Sequence, residues 1–197
     1  MRQDASIAYV VGDATRPEGS GPRVIVHVCN DSGGWGWGFV LVLSRAYPEA
    51  ERRYRAWHAR GEDDGAPFAL GQAQFAPVAP DLWVANLIGQ HGTRRAGTPE
   101  PPPVRYEAIR QGLARVASFA LGHGASVHMP RIGTGLAGGE WTEIEPIVRE
   151  ELTRVHLKIV GSDLRLRSHG SVRTLRCQNG AGGSVAATHT RPQSAPG

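Results

Sequence analysis

Short β-branched runs alternate along the chain with longer stretches in which apolar residues recur every three or four positions, the pattern of strands alternating with helices. Ser6–Val11 and Val24–Cys29 read as strands, the second apolar enough to be central. Phe39–Ala46 (FVLVLSRA) is apolar almost all round and reads as a buried helix behind a glycine-rich loop. Pro48 suits the first turn of a second helix reaching about Arg60, with Ala50, Tyr54 and Trp57 on one face. On its wet side Glu49–Arg53 and Glu51–Arg55 pair at i,i+4. Gln72–Val78 and Leu82–Ile88 read as strands joined by a Pro80-Asp81 turn. Arg105–Leu121 is amphipathic, with Tyr106, Ile109, Leu113, Val116 and Ala120 facing inward, and Ser126–Met129 is a strand. Trp141 and Thr142 open another helix, where Thr142 and Glu145 have capping-box spacing and Pro146 falls in the first turn. Val155–Val160 is the candidate closing strand. The whole predicts a three-layer α/β/α fold over a mixed sheet.

Composition narrows the function more than the fold. A chain of 197 residues, 40% hydrophobic and 20% charged, has the make-up of a soluble globular domain that needs no disulfide or metal to hold it together. No apolar run approaches the ~18 residues of a membrane span, and the start MRQDAS lacks a signal-peptide core. A cytoplasmic location without membrane association is therefore expected. The two cysteines, Cys29 and Cys177, form no framework, and no CxxC, CxxH or HExxH occurs, so neither metal nor cofactor is expected. Lys158 is the single lysine among 22 basic residues, a bias that fits a GC-rich bacterial genome. Its chemical consequence is firm: without GK[ST] there is no Walker A loop.

The net charge of +4 is unevenly spread: residues 1–152 carry −2 and residues 153–197 carry +6. The reading is a domain over 1–160 followed by a basic, Ser/Gly/Thr/Arg-rich tail over 161–197, expected to be disordered. A nucleic-acid arm is the less favoured alternative for that tail, because solvated basic tails are common.

Two glycine loops carry the candidate chemistry. The first, CNDSGGWGWGF at 29–39, lies between a buried strand and a helix. Its four glycines let backbone N–H groups approach a ligand, and the helix start adds positive dipole character, which together suit a phosphate or pyrophosphate. The plain alternative is a tight connection needing positive φ, but two tryptophans between the glycines exceed what a turn requires. The second loop, PRIGTGLAGG at 130–139, contains a literal GxGxxG. Its glycines end before the next helix begins, and no downstream strand ends in an acid, so the dinucleotide reading fails.

Gly12-Asp13-Ala14-Thr15, HVCNDSGGWGWGF at 27–39, YPEAERRY at 47–54 and MPRIGTGLAGGEW at 129–141 together resemble a macrodomain. The resemblance is greatest to the branch holding terminal ADP-ribose protein glycohydrolases and ADP-ribose-1″-phosphate phosphatases, and it covers about residues 6–152. It implies an ADP-ribose cleft between the glycine loops. Asp13 would accept from the adenine amino group, with the Ala14 backbone beside it. Asn30 and the backbone of Gly34, Trp35, Gly36, Trp37 and Gly38 would hold the distal ribose and one phosphate. The backbone of Ile132, Gly133, Thr134, Gly135 and Leu136 would hold the other, with the Thr134 hydroxyl assisting and Arg131 either facing the ligand or bracing the loop.

His27 aligns with a histidine implicated in the phosphatase relatives, although a histidine on a buried strand is by default a core residue. With Asn30 and Asp31 it completes the candidate catalytic set. The lysine and the acid that glycohydrolase relatives use are replaced by Gln90 and Ala137. His91, His123 and His128 show no partner spacing and receive no role. The expected function is hydrolysis of ADP-ribose from glutamate or aspartate esters on mono-ADP-ribosylated proteins, by a monomer. A non-catalytic ADP-ribose-binding module and an ADP-ribose-1″-phosphate phosphatase are the alternatives.

Overall fold

The computed structural model describes residues 7–93, 101–153 and 155–161. The main sheet has six strands: β1 (Ile7–Val11), β2 (Arg23–Asn30), β5 (Ala73–Ala79), β6 (Leu82–Gln90), β7 (Ser126–Met129) and β8 (Leu157–Gly161). A two-stranded ribbon, β3 (Glu62–Asp63) with β4 (Ala66–Pro67), stands apart from it. The order across the main sheet is β1-β8-β7-β2-β6-β5, parallel throughout except for the antiparallel β5 edge. The fold is the predicted α/β/α sandwich with a mixed sheet.

Period-two alternation in the central strands sorts side chains to the two faces. Val24 and Val26 of β2, with Ala85 and Leu87 of β6, meet α3 (Tyr106–His123) and α4 (Trp141–Glu151). Ile25 of β2 and Val84 of β6 meet α1 (Phe39–Ala46), while Cys29 and Ile88 meet Tyr54 and Trp57 of α2 (Pro48–Arg60). Ala50, Tyr54 and Trp57 form the buried face of α2, and both expected Glu–Arg pairs are made on its outer side.

Three local expectations are corrected. Helix α1 buries Leu43 but leaves Leu41 and Val42 exposed, because only one of its faces packs against the sheet and α2. No capping box forms at α4: Glu140 is its N-cap, and the Glu145 carboxylate instead accepts from Tyr9 Oη at 2.6 Å and Arg149 Nη2 at 2.6 Å. Pro146 therefore sits in the second turn. The closing strand is real but begins at Leu157, and it inserts between β1 and β7. The tail expected over 161–197 loses its first residue to β8, which ends at Gly161; the rest lies outside the described residues. Among the described residues no helix is long and apolar enough to cross a membrane.

Candidate functional site

In an open parallel sheet, ligands bind beyond the carboxyl ends of the strands, where successive connections leave in opposite directions. Here that point lies between β2 and β7. From β2 the chain proceeds to the β6 side of the sheet, and from β7 to the β8 side. The two glycine loops are the connections that leave β2 and β7, so the fold brings them together at this crevice. The Leu136 side chain of the second loop comes close to Gly38 of the first: a Cβ built on Gly38 would stand 3.5 Å from Leu136 Cδ1.

The first loop is shaped from within by Asn30. Its side-chain oxygen accepts from the Ser32 amide (3.0 Å), the Ser32 hydroxyl (2.8 Å) and the Gly34 amide (2.9 Å), while its NH2 donates to the Gly34 carbonyl (2.6 Å). The Tyr54 hydroxyl donates to the Asn30 carbonyl at 2.7 Å, tying the loop to α2. Beyond this pin, the backbone N–H groups of Trp35, Gly36, Trp37 and Gly38 donate to nothing among the described residues. Helix α1 follows with no side-chain cap and no acid in its first turn, so its positive end is open as well.

The second loop is built alike. Gly139 donates to the Gly133 carbonyl and Gly138 to the Gly135 carbonyl, both at 2.9 Å, and the Thr134 hydroxyl donates to the Arg131 carbonyl at 2.9 Å. The amides of Gly133, Thr134, Gly135 and Leu136 have no partner among the described residues. Gly133 has φ +73° and no room for a Cβ, which would meet Ile144 Cδ1 at 2.8 Å. Gly36 and Gly135 differ: neither has a positive φ, and a Cβ on either would enter open space. Arg131 rests its guanidinium over the Trp141 ring, 5.8 Å from the centroid, which is the bracing arrangement. Ile132 is buried beneath the loop.

Asp13 follows β1 at the far side of the same sheet edge. One carboxylate oxygen accepts from the Thr15 amide (2.9 Å) and hydroxyl (2.7 Å). Those bonds, with Arg16 beside it, hold the carboxyl below its ordinary range; the second oxygen, Oδ2, accepts no hydrogen bond among the described residues and lies 3.7 Å from Arg16 Nε. Ala14 is buried next to it, and Tyr47 Oη fixes the turn by donating to the Thr15 carbonyl at 2.9 Å.

The three candidate catalytic residues go to different places. Asp31 reaches the rim, where its carboxylate accepts from the Gly92 amide and contacts the His91 ring, both at 2.7 Å. Asn30 is buried and committed to the loop. His27 lies beneath the cleft, in the core. Its Nε2 is 2.7 Å from the Asn86 side-chain oxygen, and Asn86 in turn donates to the Ala50 carbonyl and to Gln74. Burial lowers the His27 pKa to about 4, only partly offset by Asn86, so the ring is neutral and its Nε2 carries the donated proton. The Trp35 side chain folds back over His27 and Tyr54 with its indole N–H on Ser44 Oγ at 2.7 Å. The tryptophan that stands out is Trp37, 81% exposed. Gln90 donates to the Gly92 carbonyl at 2.9 Å, and Ala137 is buried. His91, which sequence spacing left without a role, was invisible because its partner Asp31 is distant in the chain.

No family model matches the chain. Over 171 residues it is 40% identical to the ADP-ribose 1″-phosphate phosphatase of Saccharomyces cerevisiae, covering 74% of this chain and 93% of the relative. It is 32% identical over 152 residues to the chromodomain-helicase-DNA-binding protein 1-like of Mus musculus; this match takes in 75% of this chain but only 16% of that much longer protein. A solved macrodomain protein from Streptomyces coelicolor is 50% identical, with TM-score 0.68 and coverage of 79% of this chain and 99% of the other.

Proposed function

This chain belongs to the macrodomain family, and we propose that its cleft binds ADP-ribose and releases it from glutamate- and aspartate-linked adducts on proteins. The observation that carries the reading is the pair of loops at the crevice between β2 and β7 whose amides, 35–38 and 133–136, have no partner among the described residues. Two such nests can hold a diphosphate without a lysine. Asp13, held ionised, accepts from the adenine amino group through Oδ2, the oxygen beside Arg16, with Ala14 next to it. The first loop, held in shape by Asn30, takes the distal ribose and one phosphate, and the second loop takes the other.

The choice of adduct follows from the leaving group. A glutamate or aspartate side chain departs as a carboxylate of pKa ~4 and needs little protonation. A serine alkoxide needs a strong general acid, whereas Asp31 at the rim is held ionised. The transition state at the anomeric carbon is oxocarbenium-like, as in glycoside hydrolysis, so rigid positioning of ribose and water supplies much of the rate. Asn30 positions the loop. His27, neutral beneath Trp35, supports that platform rather than meeting the substrate. The name of the yeast relative favours a second reading, hydrolysis of ADP-ribose-1″-phosphate through the same cleft.

The deciding experiment offers glutamate-, serine- and arginine-linked ADP-ribosyl proteins and the 1″-phosphate side by side. ADP-ribose release from the glutamate adduct, with none from serine, is the expected pattern. Phosphate release alone selects the second reading, faster serine release refutes the leaving-group argument, and no release from any substrate leaves a binding module.

A further inference from the structure

Resting on that reading, we propose that His91, oriented by Asp31, is the general base that activates water at the distal ribose. The linear order of the site points there. Across the carboxyl edge of the sheet stand Asp13 over β1, the second glycine loop over β7, the first over β2, and the Asp31–His91 pair where β2 meets β6. At the usual spacing of neighbouring strands, β1 and β6 are about 19 Å apart. A ligand that lays its adenine on Asp13 and its diphosphate between the loops therefore brings its far sugar to the β6 end, and its anomeric carbon to this pair.

The geometry is that of a carboxylate orienting an imidazole. Asp31 Oδ1 accepts from the Gly92 amide and Oδ2 lies 2.7 Å from His91 Nδ1. Partial burial pushes the Asp31 carboxyl up, but the Gly92 amide and the His91 ring outweigh it and hold the carboxyl below its ordinary value. With an ionised Asp31 accepting from Nδ1, the basic lone pair of the imidazole is the one at Nε2. The His91 side of the pair is 67% exposed, against 20% for Asp31, so the ring is reachable by water while its orienting partner is shielded. The backbone holds the ring from both sides: the His91 amide donates to the Pro103 carbonyl at 2.8 Å, and the Asp31 amide to the Gln90 carbonyl at 3.1 Å.

In the step itself, His91 Nε2 takes one proton from water as the water oxygen bonds to the anomeric carbon. The bond from that carbon to the adduct's carboxylate oxygen breaks, and its electron pair leaves with the glutamate or aspartate. The products are ADP-ribose with its free anomeric hydroxyl, a protein carboxylate, and a proton on His91 that passes to solvent. Water is the one co-reactant consumed, and no atom changes oxidation state.

The test uses the full chain with a protein mono-ADP-ribosylated on glutamate, following ADP-ribose release, and ADP-ribose calorimetry alongside. His91→Ala is expected to lower kcat by about 100-fold or more and leave the ADP-ribose Kd unchanged, and added imidazole is expected to restore part of the rate. His91→Gln, polar but not basic, is expected to show the same loss. Asp31→Asn keeps an acceptor for Gly92 but removes the charge; as the positioning residue it is expected to lower kcat with KM held. Wild-type kcat in His91→Ala overturns the proposal, as does a loss that tracks lost ADP-ribose affinity and resists imidazole. A wild-type chain that binds ADP-ribose but releases none overturns the base and leaves the binding reading intact. A chain that binds no ADP-ribose overturns the reading itself.

Discussion

Asn30 and His27 stand three positions apart on β2, and sequence treats them alike, as polar residues in a buried run. Their environments separate them: Asn30 terminates the strand and pins four loop atoms, whereas His27 is enclosed and linked to Asn86 and Gln74. That buried chain was illegible in the sequence, because its members come from three strands. Its consequence is a pH dependence. His27 has a folded pKa of about 4 against about 6.5 unfolded. The unfolded state thus binds the extra proton, and the stabilisation is whole above about pH 6.5 and is lost as pH falls towards 4. Denaturant unfolding at pH 7 and pH 5 should differ by about 2 kcal/mol from this group alone. His128, buried and lowered to about 4 by burial with Lys158 and Arg23 nearby, adds in the same direction. A His27→Gln variant should show a smaller pH difference, and an unchanged one removes His27 as its source. At Gly135 the expected result is different: Gly135→Val has open space and an ordinary φ, so its Tm should hold while ADP-ribose binding is lost. Asn30→Ala should weaken binding and activity together, because the loop loses its internal anchor.

Elements were the most legible scale. Helix α2 announced itself through Pro48, its apolar face and its two ion pairs, and each of these is present. The Pro80-Asp81 turn is likewise where expected, with Asp81 at φ +54°. Failures came where local spacing competed with a distant partner. Thr142 and Glu145 have capping-box spacing, but Tyr9 on β1 and Arg149 claim the carboxylate. Helix α1 reads as buried from composition alone, yet only its Leu43 face is covered and half of it is left to solvent. Helix α2 holds the first loop through Tyr54 packed on the Trp35 ring, through Arg55 Nη2 on the Trp35 carbonyl at 3.1 Å, and through the Tyr54 hydroxyl on the Asn30 carbonyl. Tyr54→Phe keeps the packing and removes that bond, so it should cost about 1 kcal/mol in denaturant unfolding and weaken ADP-ribose binding. Full affinity in that variant would show that the loop holds its shape without the Tyr54 hydroxyl.

For the molecule as a whole, order across the sheet matters more than the identity of any loop. The sequence supplied the two glycine loops and Asp13 but not their arrangement: β7 pairs with β2 and brings the loops together, while β8 enters between β1 and β7 and sets the distance from Asp13 to them. That insertion rests on five residues, Leu157–Gly161, whose weak pattern gave little warning of a central position. A chain ending at Gly161 should keep ADP-ribose affinity, whereas one ending before Leu157 should not fold; loss of binding in the first would move the domain boundary. The central claim is that the crevice between β2 and β7 is an ADP-ribose site. Calorimetric titration of the folded chain with ADP-ribose tests it most directly. A micromolar Kd is predicted, roughly −7 to −9 kcal/mol, abolished by Gly135→Val. The absence of any binding heat at several temperatures, from protein shown to be folded, would contradict it.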